Sequence, residues 1–136
     1  MNLNNYNIIN HKIDFNNFQY INLQTLLNSN FNNLGTLNRY LNELLYLKKN
    51  WNNISLRNSY IENNLNGYWD GETLHDNNVT GNWFMIIGYD DLTGYINADT
   101  KVFYLENSIL TNLPIIQLPL EEFIDVLQQW NVILDN

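Results

Sequence analysis

The chain has no cysteine, so it contains neither a disulfide frame nor a thiolate metal site. Its two prolines, Pro114 and Pro119, lie close together near the C-terminus, and no Gly/Ser-rich or Pro-rich tract reads as a linker. No continuous apolar run approaches the roughly 18 residues of a membrane-spanning helix. The N-terminus, MNLNNYNIIN, lacks the basic start and the apolar stretch of a signal peptide, so the expectation is a cytoplasmic protein without membrane contact. Ala98 is the sole alanine. Positive charge is scarce in the second half. Up to Trp69 five basic residues face three acidic ones, a balance of +2, whereas from Asp70 onward Lys101 stands alone against eleven carboxylates, a balance of −10. Such an asymmetry disfavours direct contact with nucleic acid and suits a basic protein partner.

At 136 residues and 45% hydrophobic, the chain is long and apolar enough for one folded domain over residues 1–136. Asparagine makes up about one residue in five. Together with Ile, Leu, Tyr and Phe it is partly favoured by AT-rich codons, and the asparagines are scattered between apolar residues, often at turns where the side chain is suited.

The stretch WFMIIGYDDLTGYINADTKVFYLE, from Trp83 to Glu106, carries the most information. An apolar strand (Trp83 to Tyr89), an acidic turn closed by Gly94, a short strand (Tyr95 to Ala98), a second acidic turn and a third strand (Lys101 to Leu105) predict an antiparallel meander. Residues 6–15 read as an extended segment and 18–28 as a short helix. The clearest helix is expected to start at Thr36 as N-cap, with Leu37, Tyr40, Leu41, Leu44, Leu45 and Lys48 along one face and Lys48 and Lys49 in its last turn. A second helix is expected over Leu56 to Leu65, stopped by Asn66-Gly67. A final one begins near Pro119, with Glu121 and Glu122 in its first turn and Leu120, Phe123, Ile124, Leu127 and Trp130 as the buried stripe. Helices, meander and closing helix together predict an α+β fold, with an antiparallel meander packed against several helices.

Of the groups that carry chemistry, the densest is Asp70-Gly71-Glu72-Thr73-Leu74-His75-Asp76. Its carboxylates and imidazole have the donor types for a divalent cation, and Asp70, Glu72, His75 and Asp76 would serve a metal-dependent hydrolase. The spacing is not that of an oxygen-ligand calcium loop, and zinc would want more nitrogen ligands than His75. A solvated polar turn is the favoured expectation, with no metal and no cofactor. The four serines lack a nucleophile-elbow motif, and no glycine-rich phosphate loop is present. The residues expected to meet a partner are Tyr68 and Trp69, as aromatic anchors after the Asn66-Gly67 turn, with Asp70, Glu72, Asp76, Asp90 and Asp91 as its acidic surroundings.

Several of these patterns come together in one family. Leu56-Arg57-Asn58-Ser59-Tyr60-Ile61 followed by Asn66-Gly67 resembles the short helix and "NG" turn of the SUKH superfamily, which includes bacterial immunity proteins and a yeast regulator of cell-wall synthesis. Trp83 to Gly88, the acidic turn with Gly94, Asp99, and Lys101 to Tyr104 are similar to that family's central meander. Leu120 to Leu127 is similar to its final helix. The resemblance covers roughly residues 56–130. It implies an α+β fold and an immunity role, neutralising a cognate toxin by direct contact, with a basic toxin such as a nuclease suited to the acidic half. It implies no catalytic residues, so the chain is expected not to be an enzyme. An intracellular regulatory scaffold is the alternative on the same fold.

Overall fold

Asparagine side chains start two of the helices. In the computed structural model, which describes residues 1–65, 69–70 and 82–136 and only the backbone of Trp69 and Asp70, Asn33 caps α2 (Leu34–Lys49) and Asn53 caps α3 (Ile54–Asn64). The Asn33 carboxamide oxygen accepts from the Thr36 backbone N–H at 2.9 Å, and that of Asn53 accepts from Leu56 N–H at 3.2 Å. Each satisfies one of the amides left without a partner in a first turn. Asn2 and Asn17 do the same for two single 3-10 turns, Leu3–Asn5 and Phe18–Tyr20. The cap of α2 is therefore three residues upstream of the expected Thr36. Thr36 is instead the residue whose amide is capped, because Asn33 reaches it.

The extended segment near the N-terminus is a hairpin of β1 (Asn7–Ile9) and β2 (Lys12–Asp14). Its two-residue turn places Asn10 at φ 53° and His11 at φ 59°, the left-handed pair that a tight hairpin turn demands. Asn28 holds the hairpin from the other side: its carboxamide accepts from Ile13 N–H at 2.9 Å and donates to Ile13 C=O at 2.8 Å, as a neighbouring strand would. The helix expected over 18–28 runs from the second 3-10 turn through α1 (Ile21–Thr25) into one wide turn, Leu26–Asn30.

The meander is a five-stranded antiparallel sheet in sequential order: β3 (Trp69–Asp70), β4 (Asn82–Gly88), β5 (Leu92–Asn97), β6 (Val102–Asn107) and β7 (Ile116–Pro119). Two details differ from expectation. The acidic turn is only Asp90-Asp91, closed by Tyr89 N–H donating to Leu92 C=O at 2.9 Å, and Gly94 lies inside β5. Gly94 is there for space: a Cβ would sit 2.9 Å from the Phe103 ring and 3.0 Å from Ile87. The outer strand β3 was not foreseen, and neither was the fifth strand, β7. Its Ile116 and Leu118 are buried and its Gln117 exposed, the alternation of an edge strand with one dry face. Pro119 ends β7 and precedes α4 (Leu120–Asp135) at the cap position, not the first helical one.

The stripes seen in the sequence form the core. Helix α2 buries Leu37, Tyr40, Leu41, Leu44 and Leu47, so its last core residue is Leu47, with Lys48 in solvent. The side chains of α4 expected inside are buried, with Val126 added. Helices α2 and α4 pack along each other, and α4 covers β6 and β7. The rings of Phe103 and Phe123 stack at 3.7 Å, and the Trp130 indole donates to the Phe31 carbonyl at 2.8 Å. Gln129 of α4 anchors the N-terminus, accepting from Leu3 N–H and donating to Met1 C=O, each at 2.8 Å. The result is an α+β fold whose helices cover one face of an antiparallel sheet. Among the described residues no helix is long and apolar enough to cross a membrane.

Candidate functional site

The tight turns of the meander put its carboxylates at both ends of the sheet. At one end, the β4–β5 turn exposes Asp90 and partly exposes Asp91, and neither carboxylate makes an ion pair with the described residues. The turn is clasped from the next hairpin: Ser108 donates its N–H to Asp91 C=O at 2.9 Å and its hydroxyl to Asp90 C=O at 3.0 Å. Two backbone carbonyls are thereby satisfied by one serine, leaving both side chains free to face outward.

At the opposite end, Asn97 folds the β5–β6 turn by accepting from Asp99 N–H at 2.8 Å and Thr100 N–H at 3.0 Å. Asp99 in turn accepts from the Asn82 backbone at 3.3 Å. A shallow cavity of about 230 Å³ opens here between Arg57, Asn58, Asn82, Ala98 and Asp99. Arg57 is fixed over the Trp51 ring at 5.0 Å.

Of the expected partner-binding residues, Asp70 pairs by register with Asn82, at this second end, whereas Asp90 and Asp91 follow the far end of β4. The six steps of β4 separate them by about 20 Å. The backbone of Trp69 lies opposite Trp83 in the edge strand β3. Tyr68, Glu72 and Asp76, with His75 and the Asn66-Gly67 stop, lie outside the described residues. Among the described residues no group of three or more His, Asp or Glu side chains is placed to hold a metal ion.

A second cavity, of about 220 Å³, lies beside the irregularity in β4 between Met85 and Ile87. Met85, Ile86 and Gly88 line it from the strand, Arg39, Tyr40 and Glu43 from α2, and Asn64 and Leu65 from the end of α3. Burial raises the Glu43 carboxyl above its ordinary value, against the opposing pull of Arg39. The Arg39 guanidinium rests over the Tyr40 ring at 4.5 Å. Burial, helped by a hydrogen bond with Tyr40, pushes the Tyr89 phenol up to about 12. At neutral pH the Tyr89 phenol is therefore a neutral hydrogen-bonding group, and among the described residues the cavity wall carries one cation, Arg39, and one acidic group, Glu43.

Sequence reading missed two features. The first is the sheet face turned away from the helices, where Tyr95 lies opposite Tyr104, Trp83 meets Tyr104 edge-on at 4.9 Å, and Glu106 is buried opposite Thr93. Burial raises the Tyr95 phenol, and Glu106 adds to the rise. The alternation Val102-Phe103-Tyr104-Leu105-Glu106 held that signal. The second is the loop after β6, where Ile109 and Leu110 are 66% and 54% exposed. Comparison with family models, with curated proteins and with solved structures finds no match.

Proposed function

We propose that this chain is an immunity-type binding protein that neutralises a cognate basic toxin by direct contact. One observation carries the reading: the described residues of the −10 half lie in the meander and closing helix, and the Asp90-Asp91 turn displays carboxylates that no described cation pairs. A desolvated basic patch on a partner would find there the complementary charge that speeds encounter and fixes register. The likeness of residues 56–130 to the SUKH pattern supports the same reading, and the α+β architecture fits it. Binding of this kind needs no bond-making residue; it needs a rigid scaffold, and the clasp of Ser108 on Asp90 and Asp91 supplies rigidity where the charge is displayed.

The test is genetic and biochemical. The gene beside this one should encode a larger secreted protein with a toxic C-terminal domain. Co-expression with this chain should restore growth to cells making that domain, and the two purified proteins should form a stoichiometric complex that weakens as salt rises. Toxicity unchanged by co-expression, with no complex, would overturn the proposal.

A further inference from the structure

The loop between β6 and β7 is held at four points. Asn107 accepts from Ile109 N–H at 3.0 Å and Leu110 N–H at 2.6 Å, and Leu113 N–H donates to Leu110 C=O at 3.1 Å. Ser108 ties the start of the loop to the acidic turn, and the Asn22 carboxamide of α1 donates to Pro114 C=O at 2.8 Å at its end. A loop so restrained would be expected to turn apolar side chains inward, yet it holds Ile109 and Leu110 in water. Other large apolar side chains are exposed, among them Ile9, Ile54 and Val132, but Ile109 and Leu110 follow directly on the residue that clasps Asp90 and Asp91. Through the Ser108 clasp, chain geometry keeps their α-carbons within about 15 Å of those of Asp90 and Asp91.

We propose that Ile109 and Leu110, with Asp90 and Asp91, form one docking surface for a basic amphipathic segment of the protein partner. This rests on the reading of the chain as a binder of a basic toxin and names the part of the partner that it grips. Charge complementarity selects the occupant: a neutral apolar segment would leave two carboxylates facing a dry surface, and a purely polar basic segment would leave Ile109 and Leu110 uncovered. A helix or strand with lysines or arginines beside leucines satisfies both. Because the loop is already ordered by its hydrogen bonds, little conformational entropy remains to be lost on contact.

The probe is a synthetic amphipathic helix of lysine and leucine, titrated into the full chain and followed by amide chemical shifts. An isocharged control has serine in place of leucine. The expected result is perturbation centred on Asp90, Asp91 and Ser108 to Leu113. Binding should be at least tenfold weaker for the double substitution Ile109→Ser, Leu110→Ser, and also for the serine control. Asp90→Asn with Asp91→Asn should weaken binding at low salt and remove most of its salt dependence. Both pairs lie at the surface, and unchanged shifts elsewhere check that the variants fold. Perturbation centred on another surface, or equal affinity for the serine control, overturns the amphipathic surface while leaving the immunity reading intact. Failure of the toxin to be neutralised, with the peptide result as expected, removes the immunity reading and leaves the surface.

Discussion

The ring of Phe103 in β6 lies flat against that of Phe123 in α4, 3.7 Å between centroids and 9° from parallel. This contact joins the meander to the helical layer. Both residues are fully buried. Replacing Phe123 with Ala should therefore cost about 3–5 kcal/mol, a large share of the stability of a domain this size. Gln128, on the exposed side of the same helix, should tolerate Ala within about 0.5 kcal/mol. Denaturant unfolding of the two variants checks this, and equal losses would mean that α4 faces another way.

Gly94 meets the same Phe103 ring from the neighbouring strand. Its replacement by Ala adds a Cβ 2.9 Å from that ring and 3.1 Å from the Ile87 Cδ1, closer than carbon atoms pack. Overpacking should destabilise the fold by about 1–3 kcal/mol. A second substitution, Ile87→Val, should recover part of the loss by removing the nearby methyl. Full additivity of the two changes in equilibrium unfolding would show that the clash is relieved in some other direction.

Glu43 gives a pH signature. Burial raises its carboxyl in the folded state, so the native protein holds this proton at pH values where the unfolded chain has released it. Its contribution to stability is fully present below the unfolded value near about 4.3 and is lost as pH rises through the folded value. Glu43→Gln should remain neutral throughout. The melting temperature of the variant relative to the parent should therefore rise across the acid range and level off above it. Glu121 acts in the opposite sense: Lys101 beside it lowers its carboxyl, so whatever stability this exposed pair adds is lost on acidification. Comparing Glu121→Gln in the same melts separates the two slopes.

No specific cation site is expected along the run from Asp70 to Asp76, whose first residue lies in β3, paired with Asn82. Added Mg²⁺, Mn²⁺, Ca²⁺ or Zn²⁺ should leave thermal stability unchanged. A specific site would instead stabilise by about 2.7 kcal/mol at a hundredfold excess over Kd. A clear shift abolished by Asp70→Ala or His75→Ala would favour the hydrolase alternative.

Local chemistry was enough to mark most of the elements. The apolar stripes of α2 and α4, the lysines ending α2 and the strand–turn–strand rhythm of the meander depend on neighbours a few residues away, and such interactions are written in the order of residues. Even the abundance of asparagine has a local meaning, since Asn2, Asn17, Asn33 and Asn53 each cap a turn or helix. What escaped depended on contacts between distant segments. Gly94 reads as a turn residue until Phe103 and Ile87 are brought against it. The strand β7 has only four residues and gains its identity from pairing with β6. The acidic residues look like one cluster along the chain, but antiparallel pairing sends Asp70 to one end of the sheet and Asp90 and Asp91 to the other. Ile109 and Leu110 join the acidic turn only through Ser108, a contact across seventeen positions or more that no local pattern encodes. The sequence alone thus determined most of the helices and inner strands and the sign of the charge, because these rest on short-range periodicity and composition. Tertiary structure decided which charges and apolar groups share a surface, because strand register and side-chain clasps place residues that sequence separation does not.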